Sequence, residues 1–341
     1  MTPLDDDTLD ALDPAGPDDP ASLSQAAPDA RAVLAHVLQH LTTAFVSDAD
    51  GTLDATLTTL AILLTKWIWR PYALRLLLIG QTGAGKSRLL QCIAEMTGAP
   101  TAIVPVTQIA ESSWHGLQMG ETIRALFPDL FTARGPSLRI TAPSGVITRP
   151  CCLLLDEVDK LALVTPDNAP LDGAARAWRL GRQQTLLAFT DSLGDVPLKL
   201  DDVDGTVRWS LATNLVITAG AFPMLDHTAE ITSASLLDVG FSPEFADRLG
   251  VVLVMPTPSE AARRQVAGIA GAVMLDFARA LDIDVQGLDD FVAALPAPGT
   301  SAAPYIGIRG LKHHVERRVA DAIATAVARS EFVARVNTGQ G

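Results

Sequence analysis

The chain has 341 residues, of which 48% are hydrophobic and 19% charged, and its formal net charge is −13. A chain of this length can bury the cores of two domains, and its acidic balance argues against bulk binding of nucleic-acid backbones, which require a basic surface. The three cysteines lack metal-ligand spacing, and the most apolar stretch, 57–64, is too short to cross a bilayer. The sequence therefore predicts a reduced, cytoplasmic globular protein that does not enter a membrane.

The negative charge is concentrated at the start of the chain. Residues 1–30 hold eight aspartates and neither lysine nor arginine, and several prolines, including Pro14 and Pro17, interrupt them. A segment of this composition cannot bury enough apolar surface to fold by itself. We expect residues 1–30 to form a disordered acidic tail.

Apolar spacing then predicts the order of the elements along the chain. Residues 31–70 have helical spacing in two pieces that break near 47–51, and from 74 to about 256 apolar runs alternate with helical segments. Strands are predicted at 74–79, 102–105, 151–155, 214–218 and 251–254. This alternation is typical of a parallel α/β sheet. After Pro256 and Pro258 the sequence is helix-rich, so we predict a large α/β domain over 31–257 and a small helical domain over 258–341.

A glycine-rich segment joins the first predicted strand to a helix and matches the phosphate-binding P-loop at every fixed position. It consists of Gly80, Gln81, Thr82, Gly83, Ala84, Gly85, Lys86 and Ser87. Glycines at these places let backbone N–H groups converge on phosphate oxygens. Lys86 is suited to neutralise the β- and γ-phosphates and the Ser87 hydroxyl to ligate Mg²⁺. An ordinary strand–helix turn is disfavoured because strand, loop and helix all agree, so the segment predicts binding of a nucleoside triphosphate.

A pair of acidic residues follows the third predicted strand. Asp156 and Glu157 would lie at the carboxyl edge of a parallel sheet, where ligands of such folds bind. Asp156 is suited to the Mg²⁺ shell, and Glu157 to orienting and polarising the water that attacks the γ-phosphate. The alternative is a solvated strand end, but the complete P-loop upstream favours a role in hydrolysis.

Five segments follow one another along the chain, at 80–87, 156–160, 220–222, 243–249 and 307–311. Their residues and order resemble those of AAA+ ATPases, and the likeness is closest to the ClpX-like unfoldases of that family. The resemblance extends over about 74–330. It implies a parallel sheet sandwiched by helices with a small C-terminal helical lid, ATP and Mg²⁺ as ligands, and a homo-oligomeric ring of six subunits.

The resemblance also implies roles for two arginines. Arg248 matches the arginine finger that reaches the γ-phosphate of a neighbouring subunit, where a delocalised cation stabilises the transition state. The alternative is a surface arginine paired with Glu244 or Asp247. Arg309 matches the sensor-2 arginine, which would contact the nucleotide from the lid of the same subunit, and the alternative there is an arginine at a helix start.

Two further assignments follow from the resemblance. Thr218, at the predicted end of a strand, is the candidate for the sensor-1 polar residue, with Asn214 as the second choice. Trp114, His115 and Gly116 lie where ClpX-like proteins carry the pore loop that grips polypeptide. Trp114 offers a flat contact without sequence specificity, or alternatively packs in the core.

The sequence departs from the ClpX-like pattern in several places. It has no four-cysteine zinc domain, and the interval 223–242 is too short for the protease-docking loop and contains no Ile-Gly-Phe. Residues 201–205 are acidic where a basic pore entrance is expected. The box that contacts adenine is not recognisable at 45–47. We therefore do not expect docking to the ClpP-type protease.

Three functions are compatible with these motifs. The leading one is a ring ATPase that remodels or unfolds proteins. A second is an ATP-dependent nucleic-acid motor or loader, in which Arg176, Arg179 and Arg182 with Trp178 would line a pore. The third is a nucleotide-switched assembly scaffold, for which the acidic tail would be a docking peptide.

Overall fold

The computed structural model describes residues 29–45, 51–108, 117–134, 137–140, 146–165, 167, 169, 171–191, 194–198, 207–280 and, in part, 315–324. Nearly all of the predicted acidic tail lies outside these residues. Its last two members are described: Asp29 caps the first helix by accepting a hydrogen bond from the backbone N–H of Arg31 at 3.0 Å, and Ala30 is the first helical residue.

Helices and strands follow one another along the described chain in an alternating order. The helices are α1 (Ala30–Ala44), α2 (Thr52–Trp69), α3 (Lys86–Thr97), α4 (Leu117–Leu126), α5 (Gly173–Thr190), α6 (Ser233–Asp238), α7 (Pro243–Arg248) and α8 (Glu260–Ala280). The strands are β1 (Leu74–Ile79), β2 (Thr101–Pro105), β3 (Phe131–Arg134), β4 (Ser137–Ile140), β5 (Val146–Ile147), β6 (Cys152–Asp156), β7 (Asp195–Leu198), β8 (Val207–Ser210), β9 (Leu215–Gly220) and β10 (Val251–Val254). Short 3₁₀ turns occur at Val106–Gln108, Pro128–Leu130 and Val158–Leu161.

The centre of the fold is a five-stranded parallel sheet in the order β10-β1-β9-β6-β2. All five predicted strands are present, which confirms the predicted fold class. The largest difference is in β9, which starts one residue later than predicted and runs on to Gly220. Pairing with β1 explains the extension, because Ala219 and Gly220 align with Leu78 and Ile79.

Both faces of the sheet are buried, as expected for parallel strands covered by helices. Along β1, Leu77 and Ile79 belong to the core on one face, and Leu76 and Leu78 to the core on the other. Residues of α1, α2 and α3 pack in the second core, whereas residues of α5, α6 and α7 pack in the first. The result is a three-layer sandwich whose carboxyl strand ends share one edge.

The structure adds two small sheets that the sequence did not predict. Strands β3 and β4 pair antiparallel, and β8 pairs with β5 and β7. These strands have two to four residues, which is too short for an alternating apolar pattern to identify them. Trp209 of β8 is fully buried, with its ring centroid 6.2 Å from that of Phe189 on α5.

The chain after the sheet begins with the long helix α8. Further on, Val315, Val319 and Ile323 are buried at helical spacing. The predicted domain boundaries remain a prediction. Among the described residues, no helix combines the length and apolarity needed to cross a membrane.

Candidate nucleotide site

The P-loop joins the end of β1 to the start of α3, as the sequence predicts. Gly83 and Gly85 have φ values of 88° and 94°, a conformation that favours glycine. A Cβ on Gly85 would lie 2.9 Å from the ring of Phe45, and one on Gly80 would lie 2.8 Å from the Cβ of Met255. Close packing therefore requires glycine at both ends of the loop. The first N–H groups of a helix have no partner within the helix, so the start of α3 is suited to bind an anion.

Lys86 supplies the positive charge of this loop. Its ammonium group donates hydrogen bonds to the backbone carbonyls of Gly80 and, at 3.0 Å, of Gln81. Burial lowers the pKa of Lys86, and the nearby carboxylates of Asp159 and Asp156 oppose that shift. A cation held against the loop backbone in this way suits the phosphate groups of a nucleotide.

Asp156 and Ser87 meet across the sheet although they are far apart in sequence. The Ser87 hydroxyl lies 3.4 Å from Oδ2 of Asp156, and Oδ1 of the same carboxylate accepts the Glu157 N–H at 2.8 Å. A hydroxyl and a carboxylate are hard oxygen ligands of the kind that Mg²⁺ prefers. The described residues contain no cluster of three or more His, Cys, Asp or Glu that could hold a metal ion. The Ser87 hydroxyl and the Asp156 carboxylate would suit a Mg²⁺ ion that is bound together with a nucleotide.

Glu157 has a conformation that is uncommon for a residue with a side chain. Its φ is 63° and its ψ 30°, which turns the chain from β6 into the Val158–Leu161 turn. The exposed carboxylate accepts a hydrogen bond from the Thr107 hydroxyl at 3.1 Å. Thr107 lies in the turn after β2, the strand beside β6. Sequence reasoning missed this residue, although a polar side chain just after a predicted strand was the available signal.

Asp159 and Gly220 connect the acidic turn to the P-loop. Asp159 is only 4% exposed. A Cβ on Gly220 would lie 2.8 Å from its Oδ1 and 2.7 Å from the Phe222 ring. The Gly220 carbonyl accepts the N–H of Gly80 at 3.2 Å. The end of β9 is therefore held between the two motifs that the sequence analysis identified.

The two sensor-1 candidates are buried and hydrogen-bonded within the fold. Thr218 is not at the end of its strand, as predicted, but two residues before it, and its hydroxyl donates to the Leu76 carbonyl at 3.1 Å. Asn214 precedes the strand, where its amide accepts from Cys151 N–H at 3.1 Å and donates to the Ser210 carbonyl at 2.7 Å. The predicted strand end was wrong because β1 extends the pairing. A sensor role for either residue stays a prediction.

Arg248 lies at the opposite edge of the sheet from the P-loop. It is the last residue of α7, just before β10, and its guanidinium donates to the Leu187 carbonyl at 3.0 Å and lies 3.5 Å from the Asp191 carboxylate. Its partner is therefore Asp191 rather than Glu244 or Asp247. The side chain remains 40% exposed.

Arg75 shows that this region is the amino edge of the sheet. It is a buried residue of β1 whose guanidinium donates to backbone carbonyls of Thr190 and Asn214, among others. It also donates to the Asp191 carbonyl. Because Asn214 directly precedes β9, the cluster of Arg75, Asp191 and Arg248 lies where the parallel strands begin.

The remaining predicted site residues lie outside the described part of the chain. They are Trp114, His115, Gly116 and Arg309. Their assignments stay predictions.

The arrangement of the two motifs on the sheet is typical of one class of protein. A P-loop at the end of β1 and an Asp-Glu pair at the end of β6, with β9 between these strands, are the parts of a P-loop nucleotide-hydrolysing fold. Residues 76–218 match the family model described as "ATPase family associated with various cellular activities (AAA)". The match begins in β1 and ends in β9, and thus includes both motifs. It supports an AAA+ ATPase that binds nucleotide and carries out an ATP-driven activity.

Proposed function

We propose that the protein is a ring-forming AAA+ ATPase that hydrolyses ATP with Mg²⁺ to remodel or unfold protein substrates, without docking to a ClpP-type protease. One observation carries the proposal. The groups for hydrolysis meet at the carboxyl edge of the sheet, whereas Arg248 is partly exposed at the amino edge. A single subunit then contains both halves of an ATPase site, but these halves face different neighbours.

The residues at the carboxyl edge account for binding and for the chemical step. The loop 80–87 holds the triphosphate through its backbone N–H groups, and Lys86 neutralises the β- and γ-oxygens. Ser87 and Asp156 would hold Mg²⁺, which when bound would neutralise phosphate charge. Glu157 accepts a proton from the attacking water, and the Thr107 hydroxyl orients its carboxylate.

The position of Arg248 at the amino edge of the sheet supports a role in a neighbouring subunit rather than in its own. The backbone of Gly250, just before β10, lies against Arg75, since a Cβ there would be 2.2 Å from the Arg75 carbonyl oxygen. Gly80 lies five residue steps beyond Arg75 along β1, a span of about 16 Å. An arginine side chain extends about 7 Å from its Cα. Contact of Arg248 with a γ-phosphate therefore requires a second subunit, which supports a ring.

The contacts of the arginines that would line a nucleic-acid pore favour protein over nucleic acid as the substrate. Arg179 donates to the Ala162 carbonyl, and Arg182 is buried with its guanidinium 5.2 Å from the Trp178 ring. Two of the three candidate arginines are thus engaged inside the fold, whereas Arg176 is exposed, and this weakens the nucleic-acid alternative. The ClpX-like motif order and Trp114 in the predicted pore loop support a polypeptide substrate, and the short 223–242 interval supports action without the protease.

The first test is the ATP hydrolysis rate against protein concentration, with the mass measured in parallel by light scattering with and without ATP. The proposal expects a rate per subunit that rises as rings form, and a loss of that rate when Mg²⁺ is chelated. Concentration-independent turnover by a monomer would remove the ring and the arginine finger together.

A second test separates the three candidate functions. The ring should unfold a tagged fluorescent protein, and this activity should fail in Glu157→Gln, which is expected to bind ATP but not hydrolyse it. A nucleotide-switched scaffold would remain functional when locked in this way. Steep salt-dependent DNA binding without unfolding would instead favour the nucleic-acid motor.

A further inference from the structure

Gln183 makes an unusual set of hydrogen bonds in the middle of α5. The side chain is 1% exposed, and its amide nitrogen donates to the carbonyls of Leu161 at 2.9 Å and Gly240 at 3.2 Å. Its amide oxygen accepts the N–H of Ser242 at 2.8 Å. One side chain thus holds the turn that follows Asp156-Glu157 and the segment that begins α7.

The backbone connects the same two segments directly. The N–H groups of Leu163 and Val164 both donate to the Val239 carbonyl, at 2.9 and 3.1 Å. Gly240 has a φ of 89°, and a Cβ there would lie 2.4 Å from the Cβ of Leu163. The two segments therefore have little room to move relative to each other while Gln183 remains in place.

The short helix α7 connects the segment held by Gln183 to Arg248. Ser242 caps the helix by accepting the Phe245 N–H at 3.3 Å, and Phe245 is fully buried. Arg248, one turn later, contacts the end of α5 through the Leu187 carbonyl and the Asp191 carboxylate. Helix α5 thus holds α7 at both ends, through Gln183 at the start and through its own last turn at the end.

We propose that Gln183 is a positioning residue for the arginine finger: it fixes Arg248 relative to the Asp156-Glu157 turn, so that the hydrolysis site of one subunit sets the finger that acts on the next. The inference rests on the proposed function, because it requires Arg248 to act in trans. The primary amide suits this role because it donates twice and accepts once. Met fills a similar volume but makes none of these bonds, and Glu keeps only the bond from Ser242.

The experiment compares Gln183→Met with Gln184→Met, a matched control on the exposed neighbouring residue of α5. A displacement of about 1 Å in a catalytic group costs up to about 10²-fold in rate. Gln183→Met rings should therefore lose about 10- to 100-fold in kcat with little change in the KM for ATP. Gln184→Met should retain the unsubstituted rate. Thermal melts identify any variant that does not fold, and Gln183→Glu then replaces Gln183→Met in the same assays.

Mixed rings provide a readout that a general structural defect would not change. Glu157→Gln subunits cannot hydrolyse ATP but present an intact Arg248 to their neighbours. In an equimolar random mixture, about half of the Gln183→Met sites face such a finger, so their rate should rise to about half of the unsubstituted value. Arg248→Ala mixed with Glu157→Gln is the reference, because this substitution removes the proposed finger itself.

The outcomes separate the inference from the function on which it rests. A rise in the hydrolysis rate in both mixtures supports the positioning role of Gln183. A gain for Arg248→Ala without a gain for Gln183→Met overturns the inference and leaves the trans finger intact. No gain in the Arg248→Ala mixture overturns the trans finger itself, and the inference fails with it. Full activity of Gln183→Met or Gln183→Glu rings without any mixing also overturns it.

Discussion

The sizes of the effects of Arg248→Ala on stability and on turnover distinguish a catalytic role of Arg248 from a structural one. Among the described residues, the side chain donates to the Leu187 carbonyl and forms an ion pair with Asp191, while 40% of it remains exposed. A hydrogen bond of this kind contributes about 0.5–1.5 kcal/mol to the free energy of unfolding. An exposed ion pair contributes at most about 1 kcal/mol, and solvent screening reduces that contribution further. Arg248→Ala should therefore lower the free energy of unfolding by no more than about 2 kcal/mol.

The effect on hydrolysis should be much larger. An arginine finger supplied in trans contributes about 10³–10⁵ in turnover where it has been dissected, and 10³ corresponds to about 4 kcal/mol in the activation free energy. Arg248→Ala should still bind ATP and fold, but its steady-state turnover should fall by at least about 10³-fold. Arg248→Lys should recover little, because an ammonium group lacks the planar fork of the guanidinium.

The assay is phosphate release at saturating ATP, with nucleotide binding and thermal denaturation measured on the same samples. Arg208→Ala is the matched control, since Arg208 also forms an exposed ion pair, 3.3 Å from Asp195, away from α7. It should leave turnover unchanged. A decrease of only a few-fold in Arg248→Ala, or an equal decrease in both variants, would refute the assignment of Arg248 as the finger.

Three further predictions concern the carboxyl edge and the core. Thr107→Ala removes the donor to Glu157, and because a hydrogen bond to a charged group contributes about 1.5–3 kcal/mol, turnover should fall by about ten-fold or more in the phosphate-release assay. Gly220→Ala places a Cβ 2.8 Å from Asp159 Oδ1, so the free energy of unfolding measured in urea should fall by about 1–3 kcal/mol. Burial raises the pKa of Cys152 from 9.0 to about 11, so its thiol should resist alkylation in the native protein at pH 8. The stabilising contribution of that thiol should be complete below pH 9.0 and be lost as the pH rises through about 11, as measured by urea unfolding at each pH.

Each of these predictions has its own control. Thr107→Ser keeps the hydroxyl and should keep most of the turnover, so equal losses in the two Thr107 variants would contradict the orienting role. Gly181→Ala, inside α5 with nothing within 4 Å of the added Cβ, should not destabilise the protein. Rapid labelling of Cys152 in the native protein, at the rate seen in urea, would contradict its burial.

The sheet and its principal site were predictable because their signals are local. Each central strand is a continuous apolar run, and β1 appears over the predicted residues 74–79. The P-loop motif requires consecutive residues, so its position at the start of α3 followed from the sequence. Asp156 was identified because it ends an apolar run, and its contact with Ser87 follows from parallel strands that share an edge.

The errors and omissions arise where a contact joins distant parts of the chain. Thr218 was placed at a strand end because the apolar run stops there, but pairing with β1 continues to Gly220. For Arg248 the sequence offered only acidic neighbours in its own helix, whereas the fold brings Asp191 from the end of α5. Thr107 belongs to no motif and reaches Glu157 only because β2 lies beside β6.

By itself, the sequence determined the alternation of strands and helices, the phosphate loop and the acidic pair, since apolar periodicity and motif spacing act over a few residues. Only the tertiary structure decided which polar groups serve these motifs. The amide of Gln183 joins residues 161, 240 and 242, and no local pattern marks a glutamine for that role. The physical reason is burial: a buried polar group has to be hydrogen-bonded, and its partners are near it in the fold although they are distant in the sequence.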